Sequence, residues 1–250
     1  MKTIKFAAVA ILMVMATGVF AQSGHGSFYV QYNSLGVGEF ADVLDDMDAE
    51  SEKLNGIGVG FNKAFSVTSS IPLFIEVGAG LNYAWAKIYE EEEKDDCYNC
   101  GDEYAVTYKT SSQHLMVNVP VNLMYKFQIP NSSITLEPYV GLNLKGHILG
   151  RMKSKYTYEA CCDEVEDAFE ETLEDMDEDD LVSNYFDKDD MGGKKYVATR
   201  LNIGWQIGAN ADFGKAFVGL SYGSDFNKFL KMDGEEWKYS ALNVTIGLRF

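Results

Sequence analysis

Ser112, His114 and His147 are the residues of this chain whose types suit acyl transfer: a hydroxyl nucleophile and two imidazoles able to act as bases. Ser112 and His114 share one face of an extended segment, because side chains alternate at period two. A turn around Ile129 to Ser133 that keeps both parities makes His147 a cross-strand neighbour of His114. No carboxylate stands at strand spacing to orient either ring, which weakens the case for catalysis. The expectation is therefore a non-enzymatic protein, with a lipid-acting hydrolase or acyltransferase as the alternative. His25 belongs to no pattern.

The four cysteines come as CYNC, Cys97 and Cys100, and as the vicinal pair ACCD, Cys161 and Cys162. Zinc sites draw on well-spaced pairs, and a vicinal pair fits tetrahedral geometry poorly. Just beyond lies DEVEDAFEETLEDMDEDD, in which Val165, Phe169, Leu173 and Met176 recur at steps of three and four, predicting an amphipathic helix from Asp163 to about Met176. DMDEDD and DKDDMGG resemble calcium loops, but neither has the full EF-hand order of acids, glycine and terminal glutamate. The plain expectation is a solvated acidic loop with no cofactor. The functional one is a divalent cation bridging that loop to phosphate-rich surface glycolipid.

These residues are positioned by eight alternating segments, approximately Ser27–Asn33, Asn55–Lys63, Pro72–Ile88, Tyr104–Phe127, Ile134–Tyr158, Lys195–Phe213, Lys215–Gly223 and Tyr239–Phe250. In the sixth, Val197, Leu201, Ile203, Trp205, Ile207 and Phe213 share one face, while Arg200, Asn202, Gly204, Gln206, Gly208 and Asn210 share the other. Glycines and amides suit a cramped, hydrated interior better than a sheet face open to water. Eight is also the strand number of the smallest closed membrane barrels. A secreted ligand-binding barrel of the lipocalin kind is the structural alternative.

The connections sharpen the choice. The second, fourth and sixth are short, and the first, third, fifth and seventh are long, as in a membrane barrel with tight periplasmic turns and long outer loops. All but three of the 38 acidic residues, namely Glu76, Glu137 and Asp212, fall in the long connections. Glu76 and Glu137 have inward parity. With Arg249 they are expected to form a buried charge cluster that plugs the lumen near one rim, because buried charges are normally paired. Lys145 and Arg200 form a second group higher up. The fourth and fifth segments run long enough for Tyr104–Thr110 and Met152–Tyr158 to pair beyond the membrane, offering a sheet edge to an external protein partner.

MKTIKFAAVAILMVMATGVFAQ has two lysines, an apolar run and a small-residue cleavage site, so residues 1–21 are expected to be a secretory signal peptide and 22–250 a single domain, with an acidic insert at about 159–194. No later apolar run is long enough for a spanning helix. Export to an oxidising space favours disulfides; four cysteines allow three connectivities, and two bonds joining the third connection to the fifth are the expected arrangement because they would staple long, self-repelling loops. A formal charge of −17 argues against nucleic acid as a partner.

The chain ends SALNVTIGLRF, apolar on one face to the last residue. That strand, with Val244, Ile246, Leu248 and a terminal Phe250, resembles the assembly signal that barrel-insertion machinery reads in bacterial outer-membrane proteins. The whole alternating pattern resembles a small OmpA/OmpX-type barrel, and more narrowly the PorT-like outer-membrane barrels. Alternation, connection lengths and charge predict an all-β, eight-stranded antiparallel transmembrane barrel with long acidic extracellular loops; the resemblance implies an outer-membrane address, with both termini expected on the periplasmic side, and the long acidic insert of the fifth connection departs from the family. The function expected is envelope-structural or surface-interacting, with a narrow channel or transporter as the alternative.

Overall fold

A computed structural model describes residues 24–37, 53–68, 70–96, 103–159, 182–187, 198–232 and 235–250. Eight long strands form the wall: β1 (Gly24–Val37), β2 (Lys53–Ser66), β3 (Leu73–Asp96), β4 (Glu103–Tyr125), β6 (Thr135–Glu159), β8 (Leu201–Asp212), β9 (Ala216–Asp225) and β12 (Tyr239–Arg249). Short β5 (Phe127–Gln128) and β7 (Val182–Asn184) add to β6, while β10 (Leu230–Met232) and β11 (Glu235–Trp237) form a separate ribbon. Each wall strand pairs antiparallel with its neighbour in chain order, and β12 returns to β1 from Ser27↔Arg249 to Val37↔Tyr239. The sheet is a closed ring of eight, so no edge remains along the wall.

The burial pattern is that of a water-soluble sheet turned inside out. Phe28, Val30 and Tyr32 on β1, Ile57 and Val59 on β2, and Leu242, Val244, Ile246 and Leu248 on β12 are exposed, while Asn33, Asn82, Asn122 and Asn202 are buried. In water so continuous an apolar surface would drive aggregation; in hydrocarbon it is the required exterior. Aromatic residues border the band. Phe28, Phe61 and Phe250 cluster at the end carrying the termini, and the pairs Tyr83–Trp85 and Trp205–Tyr222 lie on the outward face of their strands.

Inside, glycines make room for the side chains of adjacent strands. Asn33 Oδ1 sits over Gly56, Asn62 Oδ1 over Gly78, Asn122 Oδ1 over Gly141 and Tyr139 over Gly208, so a Cβ at any of these glycines would collide with its neighbour. The tight turns lie at the termini end. Gly214 has φ +93°, a left-handed conformation that favours glycine, and its N–H donates to Asp212 Oδ1 (2.7 Å). At the opposite end β3, β4 and β6 continue past the other strands as a protruding sheet, paired out to Asp96↔Glu103 and Ala105↔Glu159.

That extension corrects two expectations. β3 does not stop at Ile88 but runs on through the acidic stretch to Asp96, because the long β4 offers it a continuous pairing partner after a register shift between Lys87 and Tyr89. The β4 edge is therefore covered on both sides. The sixth segment is shorter than expected: β8 begins at Leu201, and Arg200 lies exposed before it. Residues 1–21, the four cysteines and the predicted helix from Asp163 to about Met176 lie outside the described residues.

Candidate functional site

The lumen is closed twice. At the termini end Arg249 on β12 points inward and donates through Nη1 to Glu137 Oε1 (2.7 Å) and through Nη2 to Glu137 Oε2. Glu137 is fully buried and also pairs with Lys126 Nζ (2.8 Å), while Arg249 Nη1 pairs with Asp212 Oδ2 (3.0 Å) and approaches His25 Nε2 (2.7 Å). Two cations and two carboxylates thus balance across the opening. Phe217 lies beneath the guanidinium at 5.0 Å, and Phe74 lies 4.8 Å from Lys126 Nζ.

Glu76 is buried too, but its direct partner is neutral: Asn122 Nδ2 donates to Glu76 Oε1 (3.0 Å), and Gln206 Nε2 donates to Asn122 Oδ1 (2.6 Å). This hydrogen-bonded chain crosses from β8 to β4 to β3. The expected trio therefore resolves into an Arg249–Glu137 pair and a separate Glu76 network. Lys126, Asp212 and His25 join the cluster although no sequence pattern grouped them with it; Lys126 flanks the QIPNSS turn beside the fifth segment, and Asp212, one of the three acids outside the long connections, ends the sixth.

Further along, Lys145 Nζ meets Asp225 Oδ1 at 2.6 Å, both side chains nearly inaccessible. Arg200 does not join them; its guanidinium stacks over Phe186 at 4.2 Å on the exterior. Parity along the sixth segment puts Arg200 inside, but β8 starts one residue after it. Asp225 reads from sequence as part of the seventh connection, whereas it closes β9 opposite Gly204.

The second closure is aromatic. His114, His147, Tyr185, Phe229 and Tyr239 fill the far end, with Phe229–Tyr239 centroids 4.6 Å apart and His147–Phe229 4.8 Å. His114 stacks on Tyr185 at 5.3 Å with planes 14° apart. The imidazoles are not directly opposed: His147 faces Met116 and His114 faces Gly150, because β6 bulges at Ile148. Both pack instead against the same Phe229 and Tyr239.

Ser112 and His114 do meet. Ser112 Oγ lies 2.8 Å from His114 Nε2 and 3.0 Å from the Tyr185 hydroxyl, and the Tyr239 hydroxyl lies 3.3 Å from His114 Nδ1. The groups that orient the ring are thus tyrosines, and Ser112 and His114 are each 3% exposed. Burial raises the pKa of the Tyr185 phenol, keeping it a protonated partner of Ser112. The segment carrying Tyr185 docks as β7, with Tyr185 N–H donating to Gly150 O at 2.9 Å.

Between the closures lies a polar cavity of about 70 Å³ walled in part by Tyr29, Gln31, Glu76, Asn122, Lys145 and Gln206. It has room for only a few waters. Among the described residues no group of three or more His, Cys, Asp or Glu is arranged to hold a metal.

The termini complete the ring: Gly26 N–H donates to Phe250 O (2.8 Å) and Phe250 N–H to Gly26 O (3.0 Å). Val244, Ile246, Leu248 and Phe250 all face outward, Phe250 at 66% exposure.

Comparison with curated proteins gave no match. Among solved structures the chain is similar to the attachment invasion locus protein Ail of Yersinia pestis, with 8% identity over 92% of this chain and 100% of that one at a TM-score of 0.35. It is similar to the outer membrane enzyme PagL, with 13% identity over 87% and 97% at 0.37. A major outer membrane protein of Thermus thermophilus gives 12% identity over 90% and 99% at 0.36. The family model for the outer membrane protein beta-barrel domain matches residues 6–250. A closed eight-stranded ring with an apolar exterior and a polar interior is what that description requires, and the chain belongs to the outer membrane protein beta-barrel domain family.

Proposed function

We propose that this outer-membrane barrel is a closed, non-enzymatic envelope protein that presents acidic, disulfide-linked loops outside the cell, with both termini on the periplasmic side. The observation that carries this reading is the double closure of the lumen, by the Arg249–Glu137–Lys126 cluster at one end and the His114–Tyr239–Phe229 packing at the other. A barrel sealed this way acts through its rims and exterior. The long connections supply most of the chain's negative charge and are the parts available to a partner.

The disulfide reading is supported by where the loops are rooted. Asp96 lies opposite Glu103, and Ala105 opposite Glu159, so the third and fifth connections leave neighbouring strands. Planar-bilayer recording of the purified protein tests closure: the expected result is no stepwise conductance, and steady single-channel steps would favour the narrow channel.

The lipid-enzyme reading has its own observation in the 2.8 Å Ser112–His114 contact. Their burial beneath Tyr185 and Tyr239 keeps a lipid carbonyl from reaching them. Ser112→Ala should leave the lipids of expressing cells unchanged, and a changed acyl composition would favour the enzyme.

A further inference from the structure

Five cations of this acidic chain stand together on one part of the wall. On the outward face of the protruding sheet, just beyond Trp85 and Leu149, stand Lys87 on β3, Lys109 on β4, and Arg151, Lys153 and Lys155 on β6. Register makes them continuous: Gln113 lies opposite both Trp85 and Arg151, Ser111 opposite both Lys87 and Lys153, and Lys109 opposite Lys155. An acid, Glu90, stands in register with Lys109 on the β3 side, whereas the β4 positions opposite Arg151, Lys153 and Lys155 hold no acid.

The β6 residues are placed to use their charge. Arg151 Nε donates to Gln113 Oε1 (2.8 Å), which holds the guanidinium against the wall and leaves its two terminal nitrogens as donors. Lys153 and Lys155 are exposed, and among the described residues no carboxylate lies within ion-pair distance of either. Strand geometry sets their height. At about 3.3 Å per residue and a tilt near 40°, Arg151 stands roughly 5 Å and Lys153 roughly 10 Å above the apolar row that ends at Leu149. Arg151 thus lies within the headgroup layer, which adds about 5–8 Å to each side of the hydrocarbon, and the long Lys153 side chain stands just above it, within reach of its phosphates.

We propose that Arg151, Lys153 and Lys155 bind the phosphate groups of the outer-leaflet glycolipid. The guanidinium matches phosphate with two parallel hydrogen bonds, and the ammonium groups act as point charges along the same row. A chain of net charge −17 is otherwise repelled by an anionic lipid surface, and this patch reverses the sign where the wall meets the headgroups. The proposal rests on the orientation given above, in which this rim faces outward.

The test uses the full mature barrel in detergent and three probes: bisphosphorylated outer-membrane glycolipid, the same glycolipid stripped of phosphate, and phosphatidylglycerol, with retention read by native mass spectrometry. The native protein should retain the bisphosphorylated glycolipid about tenfold better than either other probe. A Lys153→Glu, Lys155→Glu double variant should lose that preference while still shifting in mobility on boiling, and a Lys153→Gln, Lys155→Gln variant should lose part of it. Equal retention of all three probes, a preference for phosphatidylglycerol, or a preference that survives charge reversal overturns the proposal. Reversed insertion would instead show in proteolysis of intact cells and leave this measurement unchanged, so the two failures are distinguishable.

Discussion

Arg249, the penultimate residue, reaches across the lumen to Glu137, and the two are joined through both terminal guanidinium nitrogens and both carboxylate oxygens. β8 and β9 lie between their strands in the wall, so the pair braces the ring from inside rather than stitching neighbours together. The last strand thereby contributes both the seam with β1 and the bolt across the opening.

Removing one member of this pair should cost more than removing both. Glu137→Ala leaves Lys126 without its carboxylate and Arg249 with Asp212 as its remaining acidic partner, at a cost of about 3 kcal/mol. Adding Arg249→Leu should recover part of it. The folded fraction on mobility-shift gels across a urea series measures this; additive losses would mean that the two side chains do not act as a unit.

Phe250 is expected to matter for closure beyond any signalling role. Its ring lies 5.2 Å from Phe28 and 6.2 Å from Phe61, contacts together worth about 1–2 kcal/mol. Phe250→Ala should lower the yield of the heat-modifiable form on refolding into detergent. Gly26→Val should do the same, because a Cβ there would stand 2.6 Å from Phe250 Cε2.

Ser112 should behave as a structural hydroxyl. Ser112→Val removes the bond to Tyr185 and leaves His114 Nε2 without that partner, a cost of about 1–2 kcal/mol. Faster hydrogen exchange at the Tyr185 amide, with the barrel wall unaffected, is the expected result. Unchanged exchange would show that β7 docks without Ser112.

Opening the lumen should require both closures to be broken. Phe229→Ala thins the aromatic end and Arg249→Ala unlocks the other, and the double variant is expected to conduct in planar bilayers while each single variant stays silent. Conduction by either single variant would place the whole barrier at one end.

The wall is legible from alternation because a barrel in lipid must keep one parity apolar along every strand, and Val244 through Phe250 and Ile75 through Trp85 keep that parity without a break. Where alternation lapses, the reading fails. β3 beyond Ile88 is a run of acids that looks like a loop, yet it is paired to Asp96 because β4 lies alongside. Asp225 reads as the first acid of a connection, while register makes it the last residue of β9 and the partner of Lys145. Arg200 fits the inward parity of the sixth segment but precedes the strand and packs on Phe186. Lys126 sits where the chain turns, and its pairing with Glu137 depends on a cross-strand geometry that no local pattern encodes. Ser112 and His114, two apart on one face, are readable as neighbours; that tyrosines surround them depends on where Tyr185 and Tyr239 come back to the barrel.

The most direct test of the account is fractionation of expressing cells, with a mobility-shift gel on the outer-membrane fraction and protease added to intact cells. An outer-membrane barrel inserted in this orientation is recovered in that fraction as a heat-modifiable band, cleaved from outside only between about Arg151 and Lys195 and protected at both termini. Recovery as a soluble periplasmic protein, or cleavage at the short Ile129–Ser133 turn in intact cells, would contradict it.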